Sequence, residues 1–154
     1  MPLCIFPNFP LRSLRVSLQS FFWGDLYREY GYHVIYPQLF DWHKEADEGN
    51  NKALVLRGQK KTIEFLNIVE QAYLANDYLV GDKPTVADIV AYTVISLSKL
   101  GGADAKSFAS KYPKLSKYLE RVEKNIPGFD KTFAAFHGFA AHLKSQGVKI
   151  VDVY

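Results

Sequence analysis

The run VADIVAYTVISL, from Val86 to Leu97, is the most apolar part of the chain, and Asp88 is its only charge. Wound as a helix, it presents apolar side chains on nearly every face. Such a helix is stable only when other elements surround it, so this run fixes a helix in the middle of a domain. The end of a helix so placed is cut off from water, and side chains must satisfy its orphan backbone donors. The preceding residues, GDKPT, meet that need. A threonine three residues before an acid is a capping-box pattern. We expect Thr85 to be the N-cap, its hydroxyl accepting from the Asp88 N–H while the Asp88 carboxylate reaches back to the Thr85 N–H and meets the positive helix end. Gly101 and Gly102 then end the helix near Leu100.

The remaining segments read as further helices. Residues 1–10 carry Pro2, Pro7 and Pro10 and read as a linker, because each proline fixes φ and removes a donor. A helix is expected from about Leu11 to Ile35, with Leu14, Leu18, Phe21, Phe22 and Leu26 at helical spacing and Pro37 bending or interrupting it. KEADEGNN reads as a loop. A second helix fits Lys52 to about Ala75, with Ile63, Leu66, Val69, Ala72 and Tyr73 on one face. After the buried helix come a short one at Ala103–Ser110, another from Pro113 to about Asn125, and a last from Asp130 to Gln146 with Phe133, Phe136, Phe139 and Leu143 together. The tail, 147–154, is β-branched and reads as extended. No strand pairing emerges, so the class is all-α, with one helical domain over 11–146.

Composition narrows the function. The 154 residues suit a single domain with a real core, and aromatic residues make up 15% of them. A net charge of +3 with dispersed Lys and Arg gives no nucleic-acid footprint. Cys4 is the only cysteine, which rules out an intrachain disulfide and the multi-cysteine zinc sites. No apolar run approaches membrane-spanning length, and the N-terminus lacks the pattern of a signal peptide. We expect a cytoplasmic protein. His33, His43, His137 and His142 show no metal spacing.

The motifs together resemble a known family. YLVGDKPTVADIVAYTVIS is similar to the entry loop and sixth helix of cytosolic glutathione transferases, where a capping box opens the buried central helix. KYPKLSKYLERVEKNIPGFDK resembles the following helix and turn, and RSLRVSLQSFFWGDLYREYGYHVIYPQLF the first helix of their C-terminal domain, nearest the insect delta and epsilon classes. IFPNFPLR looks like the linker into that domain. The resemblance runs from about Ile5 to Gln146. It departs at Pro84, where the family has an aliphatic residue stapled to the fourth helical position, here Ile89. It implies a helical bundle of the transferase C-terminal type, without the thioredoxin-like domain that binds glutathione and supplies the thiolate-stabilising Ser or Tyr.

From that resemblance follow the site expectations. Arg28, Tyr32, Ile35, Tyr36 and Leu39 recur at spacings of three and four, and the delta and epsilon pattern puts the wall of a hydrophobic-electrophile pocket on that face and adds Phe40. Ordinary core packing explains the same spacing, and both readings stand. Gly31 takes the place of a large residue, which would widen or blunt the pocket. Phe139 and the tail would cap it, and Phe21 matches a dimer-seam aromatic; core roles compete for both. Thr85 and Asp88 are structural, and no catalytic residue is assigned. The chain should therefore be the substrate-binding half of a delta/epsilon-like glutathione transferase, inactive alone. Glutathione would be a co-substrate held mainly by the absent domain, and the chain would dimerise or self-associate, with no nucleic acid and no membrane. The alternatives are a non-catalytic interaction module and a carrier for hydrophobic ligands.

Overall fold

The computed structural model describes residues 22–40, 48–148 and 150. The described residues form helices and turns, with no strand beyond a single bridge between Tyr78 and Gly81. Among the described residues, five main helices make up the bundle. Helix α1 runs over 22–39, α2 from Glu48 to Tyr73, α3 from Val86 to Ile95, α4 from Pro113 to Asn125 and α5 from Phe129 to Ser145. The expected linker over 1–10 and the candidate dimer residue Phe21 lie outside the described residues.

Helix α1 departs from its expected shape. Between Arg28 and Ile35 it widens to a π-helix, closed by the Tyr36 N–H on the Gly31 carbonyl, five residues back. An α-helix then resumes over Tyr36–Leu39, so of the bend or interruption expected at Pro37 the interruption does not occur. Proline removes a donor and crowds the carbonyl four residues earlier. The helix is π-wound through the residues before Pro37, and π turns inside α-helices are frequent at functional sites. Trp23, Leu26, Tyr30, Val34 and Ile35 face the core.

Helix α2 starts earlier than expected, taking in the end of the acidic segment, and its last turn, Val69–Tyr73, is again π-helical. Its buried line is Val55, Gly58, Thr62, Leu66 and Val69, and Ala72 is turned out to solvent. Gly58 lets α1 and α2 touch: a Cβ there would stand 2.6 Å from the His33 Cβ and 2.9 Å from the Glu29 carbonyl oxygen. No other residue fits that crossing.

Helix α3 lies inside the bundle, with Ala87, Asp88, Ala91, Tyr92, Val94 and Ile95 buried. It tightens into a 3₁₀ stretch over Ser96–Gly101, where the Ser96 and Ser98 hydroxyls bond back to the carbonyls of Thr93 and Ile95. Gly102, at φ +89°, ends it. The burial is less complete than the sequence implied. Val86 and Ile89 are 57% and 41% exposed, and with Val90 and Thr93 they leave one side of the first turns uncovered.

The cap at the start of α3 binds three parts of the chain. The reciprocal box of Thr85 and Asp88 forms. Its strongest bonds run to the carboxylate, which accepts from the Thr85 N–H at 2.7 Å and from the Thr85 hydroxyl at 3.0 Å. The hydroxyl thus donates to Asp88, whereas the sequence pointed to it as the acceptor of the Asp88 N–H; that N–H closes on the Thr85 carbonyl at 3.1 Å. The other carboxylate oxygen accepts from the Leu79 N–H at 2.9 Å and from the Tyr118 hydroxyl at 3.1 Å. Burial, and then the charge of Asp88 and its hydrogen bond, push the Tyr118 hydroxyl well above the ordinary phenol range, so it remains a donor.

Helix α4 falls where Pro113 and Asn125 bound it, with Leu115, Tyr118, Leu119 and Val122 inward. Its own N-cap, Tyr112, makes no side-chain bond; Glu70 of α2 accepts from the Lys114 and Leu115 N–H groups, both at 2.9 Å. A short 3₁₀ turn at Ala105–Phe108, capped reciprocally by Asp104 and Ser107, leads into it. Helix α5 follows Gly128, at φ +72°, and of the tail Ile150 is buried against Gly101.

Asp88→Ala takes the carboxylate from two buried donors, the Leu79 N–H and the Tyr118 hydroxyl, as well as removing the cap at Thr85. We expect a loss of about 3 kcal/mol of stability, against about 1 kcal/mol for Thr85→Ala, which keeps the backbone donor and the carboxylate. Denaturant unfolding of the two variants checks the order and the size of the gap.

Candidate functional site

A cavity of about 840 Å³ opens between α1, the end of α3 and α5. Tyr27, Tyr32, Tyr36 and Phe40 form its first wall, Thr93, Ser96, Leu97 and Leu100 its floor, and Thr132, Phe133, Phe136 and Phe139 its second wall. The volume lies within the range of about 300–1,000 Å³ typical of small-molecule sites.

The first wall is an aromatic ladder. Tyr27 and Tyr32 meet edge to face at 5.6 Å, Tyr32 and Tyr36 at 5.4 Å, and Tyr36 tilts against Phe40 at 5.8 Å. The Tyr27 and Tyr36 hydroxyls share a hydrogen bond of 2.8 Å. Burial, followed by this bond, raises Tyr36 far above the ordinary phenol value. It therefore serves as a hydrogen-bonding hydroxyl and not as a base.

The π turn decides who stands in this wall. The lining positions 27, 32, 36 and 40 are spaced five, four and four, whereas the sequence reading assumed uniform α-helical phase. Of the expected residues, Tyr32, Tyr36, Phe40 and Phe139 border the cavity. Arg28, Ile35 and Leu39 do not. The Arg28 side chain is 61% exposed and pairs with Asp25 at 3.2 Å; Ile35 is wholly buried in the core, and Leu39 packs against that core. Tyr27, Leu97, Phe133 and Phe136 were not among the expected site residues. Inserting one residue in the turn rotates Arg28 out and brings Tyr27 in, and no spacing rule signals where such a turn falls.

The second wall could have been found. Phe133, Phe136 and Phe139 share a face of α5, and that face meets the cavity instead of closing wholly on the core. Among the described residues the lining offers hydroxyls and apolar surface but no carboxylate, imidazole or thiol. It is built to hold an apolar body.

Gly31 lies under the floor. A Cβ at this position would come within 3.3 Å of Leu97 Cδ1 and 3.5 Å of Tyr27 Cε2. Both neighbours border the cavity, so bulk at 31 would be pushed into it.

The model for the glutathione S-transferase C-terminal domain matches residues 35–125. The chain belongs to the glutathione S-transferase C-terminal domain family. No solved structure matches it. The matched stretch holds the end of α1, helices α2 and α3 and the whole of α4, and with them the Asp88 cap and the floor of the cavity. The α5 wall of this glutathione S-transferase-type domain lies beyond the match. Among the described residues no helix is long and apolar enough to cross a membrane, and no group of three or more candidate metal ligands occurs.

Gly31→Ala sets two effects against each other. Alanine favours a helix over glycine by about 1 kcal/mol, and the close neighbour is the movable tip of Leu97. Stability should therefore hold or rise by up to about 1 kcal/mol, while uptake of a bulky apolar dye weakens. Paired melting and dye-titration measurements test both signs at once.

Proposed function

We propose that this cavity receives hydrophobic electrophiles and that the chain is the substrate-binding half of a delta/epsilon-like glutathione transferase. The observation that carries the reading is the aromatic enclosure itself: seven aromatic side chains, six from two helices and Phe40 just after the first, line one space together with a few hydroxyls. Arrangements of this kind bury most of a small ligand and orient it through sparse polar contacts. Tyr32, Tyr36, Phe40 and Phe139 are the binding residues carried forward from the sequence, joined by Tyr27, Phe133 and Phe136.

The thiol chemistry belongs elsewhere in this proposal. A thiol with pKa near about 8.5 is only a few per cent ionised at neutral pH, so a donor that stabilises the thiolate is central to conjugation. The cavity offers the Tyr36 hydroxyl, which stays protonated and is already engaged with the Tyr27 hydroxyl. Glutathione is the co-substrate and would be activated by a thioredoxin-like module. The open strip of α3 supports such a partner: a second, apolar groove of about 300 Å³ runs between Trp23, Gly24 and Tyr27 on one side and Ile89, Val90 and Thr93 on the other. Holding the electrophile beside a sulfur delivered across that edge is catalysis by proximity. We further propose a cytoplasmic protein that self-associates.

A second reading keeps the cavity and drops the chemistry: a ligand carrier or a docking module that uses the same open strip. The two separate cleanly. The purified chain should bind a neutral naphthylamine dye, and Phe136→Ala should weaken binding about tenfold, or some 1.4 kcal/mol. With glutathione and a chlorodinitrobenzene-type electrophile, the chain alone should show no turnover above the uncatalysed rate, and addition of a glutathione-binding thioredoxin-like module should restore it. Turnover without that module would overturn the division of labour, and failure to restore it would favour the carrier.

A further inference from the structure

Three side chains that border the large cavity carry aliphatic hydroxyls: Thr93 and Ser96 on the floor and Thr132 in the second wall. Each bonds to a main-chain carbonyl three or four residues back. Thr93 Oγ1 meets the Ile89 carbonyl at 2.8 Å, Ser96 Oγ the Thr93 carbonyl at 3.0 Å and Thr132 Oγ1 the Gly128 carbonyl at 3.0 Å. A carbonyl has no hydrogen to give, so the direction of all three bonds is fixed and the hydroxyl donates. Its hydrogen is thereby committed. What each side chain still offers a ligand is the lone pairs of its oxygen.

The three oxygens are not equal. Ser96 is 3% exposed, whereas Thr93 and Thr132 are exposed. A hydrogen bond made away from water is stronger than one made in it, because no solvent competes for either partner. The Ser96 oxygen is therefore the acceptor that counts most. Leu97 and Leu100, which complete the floor, are buried and apolar. On the first wall the Tyr27 and Tyr36 phenols bond to each other. The donors of the lining thus stand on the first wall, and the floor's side chains offer acceptors alone.

The rest of the lining limits what can use that acceptor. Among the described residues no charged side chain borders the cavity. An ion brought into it would lose its hydration with no opposite charge to replace it. Ring faces attract a cation, but that attraction is small beside the lost hydration. A neutral N–H or O–H loses far less and finds a lone pair waiting. A carbonyl or nitro oxygen turned to the floor fares worse: it either breaks a hydroxyl–carbonyl bond or stays unmatched.

We propose that Ser96 is a specificity-determining residue: the cavity selects neutral apolar ligands that carry an N–H or O–H group and seats that donor on the Ser96 oxygen, with the apolar body between the two aromatic walls. The inference rests on the cavity being a ligand site and names the class of ligand it takes. Thr93 and Thr132 are secondary acceptors, since water competes for both.

The test titrates wild type, Ser96→Ala and Thr93→Val with a neutral phenylnaphthylamine dye and two methylated forms of it. One form carries the methyl on the nitrogen and has no N–H; the other carries it on a ring carbon, has the same volume and keeps the N–H. Wild type should bind the two N–H dyes about fivefold more tightly than the N-methyl dye, the worth of one neutral hydrogen bond. In Ser96→Ala the preference should shrink to about twofold or less, through weaker binding of the N–H dyes, while Thr93→Val keeps most of it. Equal binding of the two methyl isomers by wild type would overturn the proposal, as would a loss in Ser96→Ala that falls alike on all three dyes. In either case, binding that Phe136→Ala still weakens would leave the cavity standing as a ligand site. No binding of any dye would reject the cavity as a ligand site and this inference with it. If urea unfolding shows that Ser96→Ala does not fold, the wild-type comparison of the methyl isomers decides.

Discussion

One buried carboxylate organises this bundle. Asp88 has no access to water, and a charge in that position is tolerable only when hydrogen-bond donors replace its hydration. Four donors do so, and they come from the α3 entry, from the loop at Leu79 and from Tyr118 of α4. The arrangement is more than a helix cap. It fixes where the loop crosses the end of α3 and how far α4 slides along it. Arg121 adds a second hold on the same loop, reaching the Asp77 carbonyl and carboxylate, and Asn125 donates to the Tyr78 hydroxyl.

With the centre fixed, the two walls of the cavity are free to differ in character. The α1 wall is ring-packed, built on a π turn and supported by the Gly58 crossing. The α5 wall is held by an aromatic stack, Phe129 on Phe133, and a short polar chain in which the Tyr92 hydroxyl meets Glu123 and the His137 imidazole. Helices with local bonds satisfied and little burial open more readily than those locked into a core. Phe129 and Ala140 are the buried residues of α5, while Phe139 is 41% exposed.

The sequence made the architecture readable wherever a local rule was strong. Thr85 with Asp88, Pro113, Gly102 and Gly128 each mark an element boundary through backbone chemistry that tertiary packing does not override. Legibility failed where the effect is not local. The π turn of α1 changes the phase of every residue after it, so Arg28, Ile35 and Leu39 appeared on the cavity face and Tyr27 did not. The Glu70 cap on α4 joins residues too far apart for any short motif. Phe133 and Phe136 were recognised as one face, but whether such a face closes on a core or borders a space depends on what the opposite helix presents. The outer strip of α3 illustrates the same limit: composition showed it to be apolar, and only the packing showed Val86 and Ile89 to be uncovered.

The Glu70 cap carries a consequence for how this chain can vary. Its carboxylate grips backbone N–H groups, which every residue except proline supplies. The side chains at 114 and 115 can drift without disturbing the grip, while position 70 has no substitute of equal reach and charge. Substitutions there would leave no compensating partner to recover, so a link between two distant helices rests on a single irreplaceable side chain and would be invisible to any search for paired changes.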